Sequence, residues 1–354
     1  MARFSEVLKI INGKNQTKVE NPNGKYPIYG SGGIMGYADD YICNSDTVII
    51  GRKGSINKPI FVETPFWNVD TAFGLEANRE KLIPKYLFYF CQNFDFEKLN
   101  TTVTIPSLTK ANLLDVEIPL VSIKEQEKIV NRLEKVDELI SCRKEQLLKL
   151  DELVKARFVE MFGDPENNKS GLIKIGEIGA LTSGGTPSRT KPEYFKGDIR
   201  WYSAGELNSL YLPDSVEHIS ETALQQSSAK LFNKGTLMIG MYDTAAFKMG
   251  ILTENSSSNQ ACANLNPNPE YNIIWLYYLF DIMKPVFLQE RQGVRQKNLS
   301  LSKIRKFEVP FAPFELQNQF AAFVEQTDKT KAEVQKSLDE LEILKKSLMQ
   351  KYFG

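Results

Sequence analysis

The sequence predicts an α/β fold of the α+β kind: two strand-rich globular segments joined by two long helices that pair as an antiparallel coiled coil, with a pseudo-twofold internal repeat. Three observations predict it. The first is a repeat: Pro119 to Gly163 aligns without a gap on Pro310 to Gly354, 191 positions later, so that Gln126 falls on Gln317 and Phe162-Gly163 on Phe353-Gly354. A repeat of this length is a structural module, far longer than a solenoid unit. The second is the apolar spacing inside both copies, alternately four and three residues, which is the seam of a coiled coil. The third is a fainter echo between the globular segments. Thr47-Val48-Ile49-Ile50-Gly51 resembles Thr236-Leu237-Met238-Ile239-Gly240, and Tyr86-Leu87-Phe88-Tyr89-Phe90 resembles Trp275-Leu276-Tyr277-Tyr278-Leu279.

In chain order, residues 1–121 are expected to form the first globular domain. Short apolar runs broken by Gly, Asn and Pro read as strands and turns. Residues 122–163 form the first helix, with Leu133, Val136, Ile140, Leu147, Leu150 and Val154 on its seam and Arg143 and Arg157 in line with them. These two arginines are expected to set register, dock a partner or extend to solvent. Residues 164–313 form the second globular domain on a similar framework, Asn259 falling near Asn68 and Ser300-Leu301-Ser302-Lys303 matching Ser107-Leu108-Thr109-Lys110. Residues 314–354 form the second helix, with Val324, Val334, Leu338, Leu341 and Leu348 on its seam. Forty helical residues span roughly 60 Å. A stripe of that length needs a partner. Antiparallel pairing within the chain would put the globular segments at opposite ends of a rod; packing of each helix on its own domain, or in a homodimer, is the alternative.

Composition narrows the function classes. Lys plus Arg and Asp plus Glu are each 44, so no global field marks a nucleic-acid partner, although local clusters suffice for DNA affinity. No run of 18 apolar residues predicts a membrane span, and the N-terminus lacks the apolar core of a secretory signal. Four scattered cysteines read as reduced cytosolic thiols, and a single histidine, His218, argues against His-based metal sites and a Ser-His-Asp triad.

These residues together resemble one family. Ile118-Pro119-Leu120 followed by Glu125-Gln126-Glu127-Lys128-Ile129, the helix exit from Leu147 to Phe162-Gly163-Asp164-Pro165, Ser183-Gly184-Gly185-Thr186-Pro187-Ser188, and Gly51-Arg52-Lys53-Gly54-Ser55 are similar to motifs of type I restriction-modification specificity subunits. Leu316 departs from the pattern, standing where the second Glu-Gln pair would have its glutamate. The resemblance implies a non-catalytic DNA-reading subunit. Each globular domain would be a target recognition domain reading one half of a bipartite, asymmetric double-stranded DNA site. The helices would set the half-site spacing and dock two methyltransferase subunits, with two restriction-motor subunits joining them. S-adenosylmethionine, ATP and Mg2+ are then expected on the partners and none in this chain. The location implied is the cytoplasm.

Missing chemistry agrees with this. No Asn/Asp-Pro-Pro-aromatic motif, phosphate-binding Gly-x-x-x-x-Gly-Lys-Ser/Thr loop or Glu-x-Lys triplet is present. Candidate DNA contacts are loops combining cations, amides and glycines, because glycine admits close backbone approach, cations neutralise phosphates, and Arg, Asn and Gln read base edges. In the first domain these are Arg52, Lys53, Ser55, Asn57 and Lys58, then Lys14, Asn15 and Gln16, then the glycine cluster Tyr29-Gly30-Ser31-Gly32-Gly33. In the second they are Arg189 and Lys191, then Tyr242, Thr244 and Lys248, then Arg291, Gln292, Arg295, Gln296 and Lys297. Each loop taken alone also reads as a solvated turn. Two other functions stay open: a specificity subunit for a fused nuclease-methyltransferase, and a coiled-coil adaptor whose heads bind protein.

Overall fold

The computed structural model describes residues 1–53, 55–99, 107–168, 171–291 and 298–354. It divides into two units, Met1–Glu145 with Val334–Gly354, and Gln146–Glu333. The first unit begins with β1 (Ala2–Arg3), α1 (Phe4–Val7) and β2 (Leu8–Asn12), then β3 (Tyr26–Gly30) and β4 (Gly33–Ala38). There follow β5 (Thr47–Gly51), β6 (Ile60–Val62), β7 (Trp67–Asn68), β8 (Ala72–Ala77), α2 (Pro84–Asn93), α3 (Lys110–Leu114), β9 (Glu117–Ile118) and the first half of α4 (Ile123–Phe162). The strands form sheets of order β2-β8-β5-β6 and β4-β3-β7, plus the pair β1-β9. Every residue of β5 is buried, as its unbroken apolar run requires, and it lies between β8 and β6.

The second unit repeats this plan. Its elements are β10 (Leu172–Lys174), α5 (Ile175–Ile178), β11 (Gly179–Ser183), β12 (Ile199–Tyr202), β13 (Glu217–Ile219) and α6 (Glu221–Gln226). Then come β14 (Leu237–Gly240), β15 (Met249–Ile251), β16 (Ser257–Ser258), β17 (Cys262–Pro267), α7 (Ile273–Gln289), α8 (Leu301–Ile304), β18 (Glu308–Pro310) and α9 (Phe314–Phe353). Sheet orders are β11-β17-β14-β15, β13-β12-β16 and β10-β18, the first unit's orders strand for strand.

The shared framework corrects two sequence alignments. Thr109 caps α3 by accepting from the Asn112 N–H, and Ser300 caps α8 by accepting from the Lys303 N–H. The lead-ins therefore superpose as Leu108-Thr109 on Leu299-Ser300, two residues away from the Ser-Leu-Thr/Ser-Lys match. Likewise Val69 and Asn259 hold equivalent places, their N–H groups bonding Tyr29 O and Tyr202 O, so Asn68 corresponds to Ser258.

The long helices run over Ile123–Phe162 and Phe314–Phe353, and within each unit their segments run antiparallel. In the first unit the partner of Arg132 is Tyr352, that of Asp137 is Lys345 at 2.7 Å, and that of Lys144 is Glu342 at 3.2 Å. In the second, Asp151 meets Lys331 at 2.6 Å and Phe158 packs on Phe320. Leu133, Val136, Ile140, Val154, Val324 and Leu338 are buried on the seam, while Leu147, Leu150, Val334, Leu341 and Leu348 are half-buried. Arg143 Nε donates to Ser337 Oγ across the helix pair, whereas Arg157 bonds Glu160 on its own helix.

The helix ends bury more than the seam. Val130, Met349 and Phe353 join the core of the first unit with Phe4, Leu75, Tyr86 and Phe90. Phe158 and Ala321 join that of the second with Trp275 and Phe280. At its ends each helix thus faces both the other helix and a sheet-and-helix head, which widens its apolar stripe beyond two positions per heptad.

Candidate nucleic-acid interface

Three loops that the sequence marks separately converge in the first head on one turn, Asn68 to Ala72. The Lys14 N–H donates to Asn68 O at 2.9 Å, and the Gly13 N–H to Ala72 O at 3.2 Å. The Arg52 N–H donates to Thr71 O at 2.7 Å, and the Val69 N–H to Tyr29 O at 3.0 Å, which brings in the glycine hairpin. Trp67 Nε1 donates to Lys14 O at 3.0 Å, tying down the first loop. Glycine is required here: a Cβ on Gly13 would lie 1.8 Å from Val69 O, and one on Gly51 2.6 Å from Ser55 O. Lys14, Arg52 and Lys53 are exposed around this hub. The Arg52 guanidinium stands 5.8 Å from the Phe73 ring centre. Asp70 and Thr71 are exposed at its apex.

The second head builds the same hub from Ser258 to Cys262. Gly185 N–H donates to Ser258 O at 2.9 Å, Gly184 N–H to Cys262 O at 3.2 Å, Met241 N–H to Ala261 O at 2.9 Å and Asn259 N–H to Tyr202 O at 2.9 Å. These four bonds match the first head's four donor for donor. A fifth pair closes both hubs, Leu108 N–H to Arg52 O and Leu299 N–H to Met241 O. An indole N–H on the same loop carbonyl recurs too, Trp201 Nε1 donating to Gly185 O at 3.0 Å. The side chains presented are different. Met241 replaces Arg52, Gly185 replaces Lys14, and the apex residue is Gln260, whose Oε1 accepts from the Thr186 hydroxyl. The adjoining loop holds exposed Tyr242 and Thr244, with Asp243 at φ +46° and Phe247 at φ +52°. Phe247 tolerates the left-handed region because its ring is fully buried against Phe287 and Phe307.

Residues 1–152 and 167–343 match the family model described as type I restriction modification DNA specificity domain. The chain belongs to this family. It is 26% identical over 185 residues to the specificity subunit of the type I restriction enzyme MjaIX of Methanocaldococcus jannaschii, covering 51% of this chain and 43% of that one. It is 23% identical over 163 residues to the EcoR124I/EcoR124II specificity subunit of Escherichia coli, covering 44% and 40%. The matched stretch therefore spans less than half the length of either relative. In fold the chain is similar to the S subunit of a type I restriction-modification system from M. genitalium. That likeness has a TM-score of 0.61 at 18% identity and covers 100% of this chain and 95% of that one.

For a member of the specificity family, the placement of the sequence candidates is uneven. Lys14, Asn15, Gln16, Arg52, Lys53 and Ser55 belong to the first hub or its loops, although the Asn15 carboxamide oxygen is engaged by the Thr17 N–H. Asn57 and Lys58 lie elsewhere, at a groove of about 720 Å³ that also takes in Gln92, Lys144 and Lys346. The Asn57 amide braces the head, donating to Asp95 and accepting from the Phe96 N–H. In the second head Arg189 forms a two-pronged ion pair with Glu217 and stacks 4.4 Å over the Phe195 ring, and Glu217 raises its basicity further. Lys191 donates to Tyr194 Oη at 2.8 Å, and Arg291 Nε to Leu288 O at 3.0 Å. Lys248 is half-buried beside the Tyr242 loop. Gln292, Arg295, Gln296 and Lys297 lie outside the described residues, as does Gly54.

Two glutamines matter in a way the sequence did not reveal. Gln126 and Gln317 are fully buried in the first turns of α4 and α9. Gln126 Oε1 accepts from the Ile83 N–H at 2.9 Å, and its Nε2 donates to Lys81 O and Val121 O. Gln317 Oε1 accepts from the Asn272 N–H at 2.8 Å, and its Nε2 donates to Ala312 O. Ile83 and Asn272 are the N-caps of α2 and α7, so each glutamine clamps a long helix onto the aromatic helix of its head. Their constant spacing in the repeat was the available signal; their inward direction was not.

Other chemistry is sparse. Among the described residues no His, Cys, Asp and Glu are grouped to hold a metal, and no helix is long and apolar enough to cross a membrane. Burial pushes the Cys43 and Cys262 thiols up to about 12, far from the reactive thiolate.

Proposed function

We propose that this chain is the non-catalytic sequence-reading subunit of a type I restriction-modification complex. Residues 1–121 and 164–313 are its two recognition domains, each reading one half of a bipartite double-stranded DNA target. Helices 122–163 and 314–354 set the distance between the halves and dock two methyltransferase subunits, with two restriction-motor subunits completing the assembly. S-adenosylmethionine, ATP and Mg2+ belong to those partners, and the complex works in the cytoplasm.

The observation that carries this reading is the duplicated hub. One hydrogen-bonded framework supports two unlike sets of exposed side chains, which suits two heads facing different sequences. The first hub offers Lys14, Arg52 and Lys53 for phosphates and base edges; the second offers Tyr242, Thr244 and Gln260, a more neutral surface. The test is modified-base sequencing of DNA from cells carrying the chain with its methyltransferase. The expected outcome is methylated adenine within a split motif with an unread gap; a continuous motif, or none, contradicts the proposal.

A further inference from the structure

We infer that Asp70 and Gln260 are the specificity-determining residues at the apex of the two hubs, each reading one base edge in its own half-site. The inference rests on the reading above, that each head faces one half of a split target.

Equivalence comes first. The N–H groups of Val69 and Asn259 bond the carbonyls of Tyr29 and Tyr202, and the carbonyls of Thr71 and Ala261 accept from Arg52 and Met241. The residue between these anchors is Asp70 in one head and Gln260 in the other, and both are exposed. The anchors on either side are held by backbone bonds that do not depend on side-chain type. The apex is therefore a place where identity is free to differ while its position is kept. Its two occupants also belong to the small set of side chains that read base edges.

Charge then limits what Asp70 can face. It rises between loops carrying Lys14, Arg52 and Lys53, the residues suited to phosphates. A carboxylate directed at a phosphate would be repelled; directed into a groove, it accepts from an exocyclic amino group, cytosine N4 or adenine N6. Among the described residues its carboxylate has no hydrogen-bond or ion-pair partner, so it is not consumed in holding the turn. Gln260 has donor and acceptor together, the complement of adenine N6 and N7. The Thr186 hydroxyl, bonded to its Oε1, orients that carboxamide and leaves the Nε2 donors available.

The test is modified-base sequencing of one genome methylated by the full chain with its methyltransferase, as wild type, Asp70→Ala, Asp70→Asn and Gln260→Ala. Thermal unfolding of each variant should match wild type, because both side chains are exposed. Asp70→Ala should relax the base preference at one position of one half-site by roughly tenfold or more and leave the other half intact. Gln260→Ala should do the same in the opposite half. Asp70→Asn, which exchanges an acceptor for a donor, should move the preference toward a base with an acceptor at that position. Unchanged preferences in both halves, or both halves relaxing together, would overturn the assignment while the split-site reading stands. A wild-type complex that methylates no split motif would overturn both.

Discussion

Lys14, Arg52 and Lys53 stand out in the sequence because cations beside glycine and amides are a recognisable composition, and all three flank the first hub. Asp70 and Gln260 do not stand out. They sit in turns after strands of two residues, too short for periodicity to register, and their importance comes from bonds made by loops distant in sequence. Arg189 and Asn57 have the composition of contact residues too, and in the structure Glu217, Asp95 and Phe96 engage them. These differences have a measurable consequence. Replacing both Arg52 and Lys53 by Ala should weaken DNA binding by the assembled complex. It should also lower the slope of log affinity against log salt by about 1 for each phosphate that the variant no longer neutralises. Measured binding isotherms with an unchanged slope and affinity would remove both residues from the interface.

At the scale of elements, the two long helices were the most legible part of the chain. Their four-three spacing runs for forty residues without proline, and each forms one unbroken helix of 40 residues. What periodicity could not show is how they join the heads. Phe158, Met349 and Phe353 lie one step off the seam and are buried by sheets and helices whose positions depend on the tertiary fold. The glutamine clamps are likewise tertiary: a Gln on a charged helix reads as solvent-facing until the N-cap of α2 or α7 is seen bonded to it. Gln126→Ala removes three part-buried hydrogen bonds, those to the Ile83 N–H and to the Lys81 and Val121 carbonyls. At roughly 0.5–1.5 kcal/mol net for each hydrogen bond, the loss should be about 2 kcal/mol. Urea unfolding of the variant measures it, and a change within about 0.5 kcal/mol, the level of an ordinary surface substitution, would show that the clamp contributes little.

For the whole molecule, the duplication already visible between Pro119 and Gly354 extends to the strands. Among the described residues, nine strands in each unit form sheets of the same order, although the loops between them share almost no sequence. Strand order follows from a few buried apolar runs, such as Val48-Ile49-Ile50 and Leu237-Met238-Ile239, which is why the framework survives while loops diverge. The same division explains what stays illegible: the DNA sequence read depends on the exposed, divergent side chains and on DNA shape. The most direct measurement replaces residues 164–313 with the second recognition domain of another family member and sequences the methylated DNA. One half of the motif should change while the other half and the gap persist. Both halves changing, or neither, would contradict a chain in which each head reads its own half-site.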